Sequence, residues 1–146
     1  MTWAFSFDVN PVSASRPRVT RAGHTYYAGP YKQFRKDMQL QVEERLADFE
    51  PLASPLCVEI DCLVTQPKKT KLWTPRADVD NYAKAVLDSF NGVLWEDDRQ
   101  IVDLHITKGW TSSWEVPGSI DLTITEDNIN YEQNEDGTWT HIRHRT

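Results

Sequence analysis

The sequence predicts an α+β fold: one mixed β-sheet covered by two helices, in the order strand, helix, strand, helix, strand, strand. Three observations carry that reading. Residues 3–9, 56–65, 99–110 and 118–126 place apolar side chains at alternate positions, the period of a half-buried strand. Residues 30–49 and 79–90 place them at helical spacing instead. Runs of the two kinds alternate, and one sheet with helices packed on it is the economical way to bury both.

The elements follow in order. Trp3 to Val9 alternates large apolar with small or polar residues. Asn10 to Pro30 is rich in Ser, Pro, Gly and Arg and reads as a long loop, of the length that is usually functional in a compact domain. Pro30 suits the first turn of a helix running to about Phe49, with Phe34, Met38, Val42 and Leu46 as its buried stripe. Leu56 to Thr65 is a strand with Val58, Ile60, Cys62 and Val64 on one face, followed by a Lys-rich loop from Pro67 to Arg76. Val79 to Phe90 is a helix facing inward through Tyr82, Val86 and either Leu87 or Phe90, and Asn91-Gly92 ends it. Arg99 to Trp110 and Gly118 to Glu126 are strands, with Ser112 to Pro117 as a hairpin connection. We place the domain at residues 1–126 and a polar extension at 127–146, where Asn134 to Gly137 suits a turn between two short extended pieces.

At 146 residues, 39% hydrophobic and 26% charged, the composition is that of one ordinary globular domain. No apolar run approaches the roughly 20 residues of a membrane helix, and Met1 to Asp8 lacks a signal pattern; a cytoplasmic protein is expected. Cys57 and Cys62 lie five apart in a strand. An odd spacing sends them to opposite faces, so no disulfide is expected, and two cysteines alone make no zinc site.

A net charge of -6 argues at first sight against a nucleic-acid partner. Distribution matters more, because phosphate binding is local and screened within about 10 Å. Residues 1–36 hold Arg16, Arg18, Arg21, Lys32, Arg35 and Lys36 against the single acid Asp8, and Lys68, Lys69, Lys71 and Arg76 form a second basic group just ahead of a cluster of acids. Basic surface around an acidic centre suits an enzyme that grips phosphates while holding a divalent metal.

The chemistry concentrates in Asp78-Val-Asp80-Asn81-Tyr-Ala-Lys84, with Asp88, and in Asp97-Asp98 before the next strand. Phosphodiester hydrolysis requires charge shielding, an activated water and a stabilised leaving oxygen, all of which a carboxylate-held magnesium ion supplies. Asp78 and Asp80 stand at a helix entrance, Asp98 starts a strand that returns beside it, and Lys84 projects along the same face to stabilise developing charge. The bland alternative reads Asp78 as a helix N-cap, Asp80 and Lys84 as an i,i+4 ion pair, and Asp97-Asp98 as a solvated turn. It explains each piece separately but not their joint occurrence.

The ordered pattern Ser15-Arg16-Pro17-Arg18-Val19-Thr20-Arg21, Gly23-His24-Thr25-Tyr26, Asp78-Val-Asp80-Asn81 with Lys84 and Asp88, then Asn91-Gly92, Trp95, Asp97-Asp98, Gln100-Ile101 and Lys108 closely resembles the RusA family of Holliday junction resolvases, as carried by phages and prophages. The resemblance implies a homodimer that makes paired, magnesium-dependent nicks in four-way or branched DNA, manganese being able to substitute. It implies Asp78, Asp80 and Asp98 as catalytic metal ligands, with Asp97 the alternative, and Lys84 as the catalytic lysine. Arg16, Arg18, Arg21, Lys68, Lys69, Lys71 and Arg76 are the expected DNA contacts. Three rivals stand beside this reading: a non-catalytic branched-DNA-binding protein, a nuclease of broader taste for forks and flaps, and a purely structural subunit.

Overall fold

A computed structural model describes residues 1–27 and 29–142; the last four residues of the expected extension lie outside the described residues. The main sheet joins β1 (Thr2–Phe7), β4 (Leu56–Val64), β5 (Ile101–Trp110) and β6 (Ser119–Glu126), in the spatial order β1-β6-β4-β5. Strand β6 runs antiparallel to both β1 and β4, whereas β4 and β5 are parallel, so the sheet is mixed as expected. Helices α1 (Gly29–Arg45) and α2 (Val79–Phe90) supply the second layer.

Alternation decides which face is covered. Leu56, Val58, Ile60 and Cys62 of β4 are buried, and β6 aligns Leu122 with Ile60 and Ile124 with Val58. Phe7 of β1, Phe34, Met38 and Leu46 of the α1 segment, and Tyr82, Val86 and Phe90 of α2 complete the core. Trp95 is fully buried with its ring edge-on to Phe90 at 6.2 Å. The opposite face carries Glu59, Asp61, Asp103 and Asp121 and is open to water. Cys62 therefore lies inside and Cys57 on the far face, both as free thiols; burial pushes the Cys62 pKa up to about 12.

Several elements differ from expectation. The connection after Trp110 is not a hairpin, because β4 lies between β5 and β6. Strand β4 buries Leu56, Val58, Ile60 and Cys62, more than any other strand of the sheet, and a strand that buries so much is best placed centrally. Helix α1 stops at Arg45 rather than Phe49, although Phe49 still packs edge-on to Trp3 and Phe5 at 6.5 and 5.9 Å. The strand expected from Arg99 begins at Ile101, after a 3-10 turn over Asp98–Gln100. Within the long loop, β2 (Arg18–Val19) and β3 (Thr25–Tyr26) form a small antiparallel ribbon, and in the extension β7 (Tyr131–Gln133) pairs with β8 (Trp139–His141) around the anticipated turn.

The extension is joined to the domain through Asp127. Its N–H donates to Pro55 O at 2.9 Å, and its buried carboxylate accepts from the Ile129 and Asn130 N–H groups at 3.2 and 2.9 Å. Those backbone donors hold the Asp127 pKa below the usual carboxylate value.

Two stability predictions follow from this packing. Ile60→Ala should cost about 2–5 kcal/mol in urea unfolding, while Leu63→Ala on the open face should stay within about 0.5 kcal/mol. Asp127→Ala should cost about 1–2 kcal/mol at pH 7. Because the folded pKa is lowered, that contribution is present above about pH 4, the unfolded value, and fades as pH falls through the folded one. The urea midpoints of wild type and variant should draw together as pH falls below about 4.

Candidate active site

Helix α2 carries most of the acids. Asp78 takes the N-cap position with extended backbone (φ -71, ψ 149), yet its side chain makes no capping hydrogen bond. Asp80 accepts from the Asn81 N–H at 3.0 Å. The bland i,i+4 pair between Asp80 and Lys84 is not what forms: the Lys84 ammonium lies 3.3 Å from Asp88 instead. Asp80, Lys84 and Asp88 thus make one stripe spaced by four, about 12 Å long at 1.5 Å rise per residue.

Asp98 reaches this stripe from the 3-10 turn. Its N–H donates to Asn91 Oδ1 at 3.0 Å, which ties the turn to the C-terminal end of α2. Asp97 is occupied differently. Its carboxylate accepts the Arg99 N–H at 2.9 Å and its own N–H donates to Gln100 Oε1 at 2.8 Å, a reciprocal cap. The Gln100 amide then donates to Leu52 O and Ser54 O at 2.8 and 3.0 Å, stapling the turn to the segment that leads into β4. The two neighbours consequently differ in charge chemistry. The Arg99 N–H lowers the Asp97 pKa, whereas desolvation, followed by Asp97 and Asp88, raises that of Asp98 against the opposing pull of Lys84. Of the pair, Asp97 does structural work and Asp98 is the one turned toward the other acids.

Asp80, Lys84, Asp88 and Asp98 rim a groove of about 320 Å³ whose apolar floor includes Leu87, Leu104 and Ile106. Asp78 does not line it. The donor set is all carboxylate oxygen, the chemistry magnesium prefers. Among the described residues, however, no three acidic, histidine or cysteine side chains of one chain stand close enough to hold an ion. The intrachain arrangement fits magnesium in ligand type and not in spacing.

The basic residues sit on two segments that meet the start of α2. The Ala14 N–H donates to Asn81 O at 3.0 Å, which moors the Arg loop to the first turn of α2. Arg16 and Arg18 line one open cavity beside Ser13 and Ser15, and Arg21 is exposed at the tip of the β2–β3 ribbon. Lys68, Lys69, Lys71 and Arg76 are exposed on the loop that leads into Asp78, with the Lys68 ammonium 4.3 Å above the Trp114 ring. That loop is held from below: Lys108 of β5 donates to Pro75 O and Ala77 O, each at 2.7 Å.

The profile of the family described as endodeoxyribonuclease RusA matches residues 8–118. The chain belongs to the RusA family. It is also 49% identical over 114 residues to the uncharacterized protein YqaN of Bacillus subtilis (strain 168), an alignment covering 67% of this chain and 80% of that protein. Membership puts the chain among the endodeoxyribonucleases, and the matched span contains the groove, the 3-10 turn and both basic loops. Four residues of the recognised pattern gain a structural task that their identity alone did not give: Asp88 pairs with Lys84, Asn91 and Gln100 hold the Asp98 turn, and Lys108 sets the approach to Asp78. Asn91 and Gln100 stand at element ends, whereas Asp88 and Lys108 lie within α2 and β5.

Lys108→Met should leave the Pro75 and Ala77 carbonyls without their partner. We expect a loss of about 1–3 kcal/mol in thermal or urea unfolding and faster proteolytic nicking between residues 67 and 77. Unchanged nicking would mean that the loop is held by other contacts.

Proposed function

We propose that this RusA-family chain is a structure-selective endodeoxyribonuclease of the cytoplasm that resolves Holliday junctions by paired, magnesium-dependent hydrolysis, as a homodimer with the family's arrangement. The observation that carries the reading is the mooring of the Arg16–Arg18 loop to the first turn of α2, which sets phosphate-binding cations beside the carboxylate groove. Asp78, Asp80 and Asp98 would hold the metal, magnesium or manganese, which supplies Lewis-acid shielding and an activated water. Asp88 fixes the Lys84 ammonium at the groove, where it stabilises negative charge developing on the phosphate. Asp97, Gln100 and Asn91 keep Asp98 in place. Arg16, Arg18 and Arg21 on one side and Lys68, Lys69, Lys71 and Arg76 on the other bind backbone phosphates of the junction arms.

The spacing of the acids supports a dimeric site. Asp80 is in the first turn of α2, while Asp98 is tied beyond its last turn through Asn91. Strand β5 is the edge of the sheet, and its Val102 and Leu104 remain 41% and 38% exposed. A second copy paired antiparallel along that edge reverses end for end, bringing Asp98 of the partner subunit toward Asp78 and Asp80. Each ligand set is then completed by the other chain, and two-fold symmetry matches two symmetric cuts.

A labelled four-way junction should be nicked in symmetric pairs with magnesium or manganese, linear duplex should be spared, and Asp80→Asn or Asp98→Asn should lower the rate by at least about 100-fold. Binding without cleavage under any divalent ion would instead mark a non-catalytic DNA-binding protein, and equal cutting of forks and flaps a broader nuclease. Mixing the inactive Asp80→Asn and Asp98→Asn proteins should restore single nicks, because one of the two sites in the mixed dimer is then wild type. No rescue in verified mixed dimers would place all three acids in one chain.

A further inference from the structure

The loop between β4 and α2 exposes Trp73 to 90%, the highest value for any large apolar side chain among the described residues. Its neighbours in the chain are held. Trp110 Nε1 donates to Leu72 O at 3.1 Å on one side, and Lys108 Nζ donates to Pro75 O at 2.7 Å on the other. Pro75 itself is buried, and Lys68 over Trp114 braces the start of the loop. A tryptophan ring offers roughly 150–250 Å² for burial, so an indole standing in water on a pinned segment is a surface prepared for a planar ligand. Around it in sequence are Lys71 and Arg76, both exposed, and Asp78 follows five residues later.

We infer that Trp73 is a stacking residue that receives an unpaired or unstacked nucleobase of branched DNA next to the cut. Cations to either side hold the backbone, and the indole takes the face of the base. Stacking of this kind is tolerant of base identity because every base has a π-face. In an intact duplex each base already stacks on two neighbours and offers no free face, so the indole adds affinity for branched over linear DNA. A protein partner fits less well, since an apolar protein surface has no match for Lys71 and Arg76 flanking the ring. This inference rests on the nuclease reading above and adds the residue that recognises the branch.

The test measures binding of wild type, Trp73→Ala and Trp73→Phe to a four-way junction carrying 2-aminopurine at the branch point, and to linear duplex, in EDTA to prevent cutting. Subunit mass is read by light scattering. Trp73→Ala should weaken junction binding roughly 5- to 100-fold, leave duplex binding and mass unchanged, and lose the wild-type change in 2-aminopurine fluorescence. Trp73→Phe should recover most of the affinity. Equal effects on junction and duplex, or none, would overturn the stacking role while leaving cleavage by wild type as support for the nuclease. A changed mass would overturn it too, by assigning Trp73 to a contact between copies. If wild type neither binds nor cuts any branched DNA, both readings fall together.

Discussion

The parallel pairing of β4 with β5 is the constraint on which the site depends. Two adjacent parallel strands cannot be joined by a tight turn; the chain must cross back over the sheet, usually through a helix. Here α2 is that crossover. Its start therefore lies at the end of β4, where Asp78 and Asp80 are, and its finish lies near the beginning of β5, where Asp98 is. The same topology lays Asp80, Lys84 and Asp88 along the outer stripe of the helix, since Tyr82, Val86 and Phe90 are committed to the core. Leu104 and Ile106 of the edge strand then close the floor of the groove.

Crossovers place residues only coarsely, and polar side chains refine the placement. Lys108 reaches from β5 to two carbonyls of the incoming loop, Asn91 accepts the Asp98 N–H, and Gln100 spans from the 3-10 turn to Leu52 and Ser54. A hydrogen bond of this sort contributes about 0.5–1.5 kcal/mol net, whereas a stranded buried partner costs about 1–3 kcal/mol. The asymmetry matters more than the sum. It penalises alternative loop positions more than it rewards the native one, and so converts a permissive connection into a fixed approach to the acids.

How much of this was legible in the sequence depended on the kind of signal. Periodicity located both helices and all four main strands, because burial on one face leaves a regular trace. It failed at the connection after Trp110, where β4 intervenes: alternation reports which face a strand buries and says nothing of its neighbours. The helix end at Arg45 was missed because Leu46 and Phe49 continue the apolar spacing while packing from beyond the helix. At the site, residue type and spacing singled out the acids and Lys84 as candidates. They could not show that Asp97 accepts the backbone N–H of Arg99 while Asp98 lines the groove. Trp73 carried no periodic signal at all, and only its exposure distinguishes it from Trp95, which is wholly buried.

The acidity of the chain, which seemed at odds with a nucleic-acid partner, acquires a direction once the faces are known. Glu59, Asp61, Asp103 and Asp121 lie on the open side of the sheet, away from the helices. Exposed cations stand instead on the β2–β3 ribbon, on α1 (Lys32, Arg35 and Lys36) and on the loop before α2. With a Debye length of about 8 Å at physiological salt, a phosphate approaching one side is largely screened from the other. Local attraction at the loops therefore survives a net charge of -6, while the open face repels. Fields of this kind orient a charged ligand before contact. The open face therefore carries part of the acid excess away from the side where α2 holds Asp80 and Lys84.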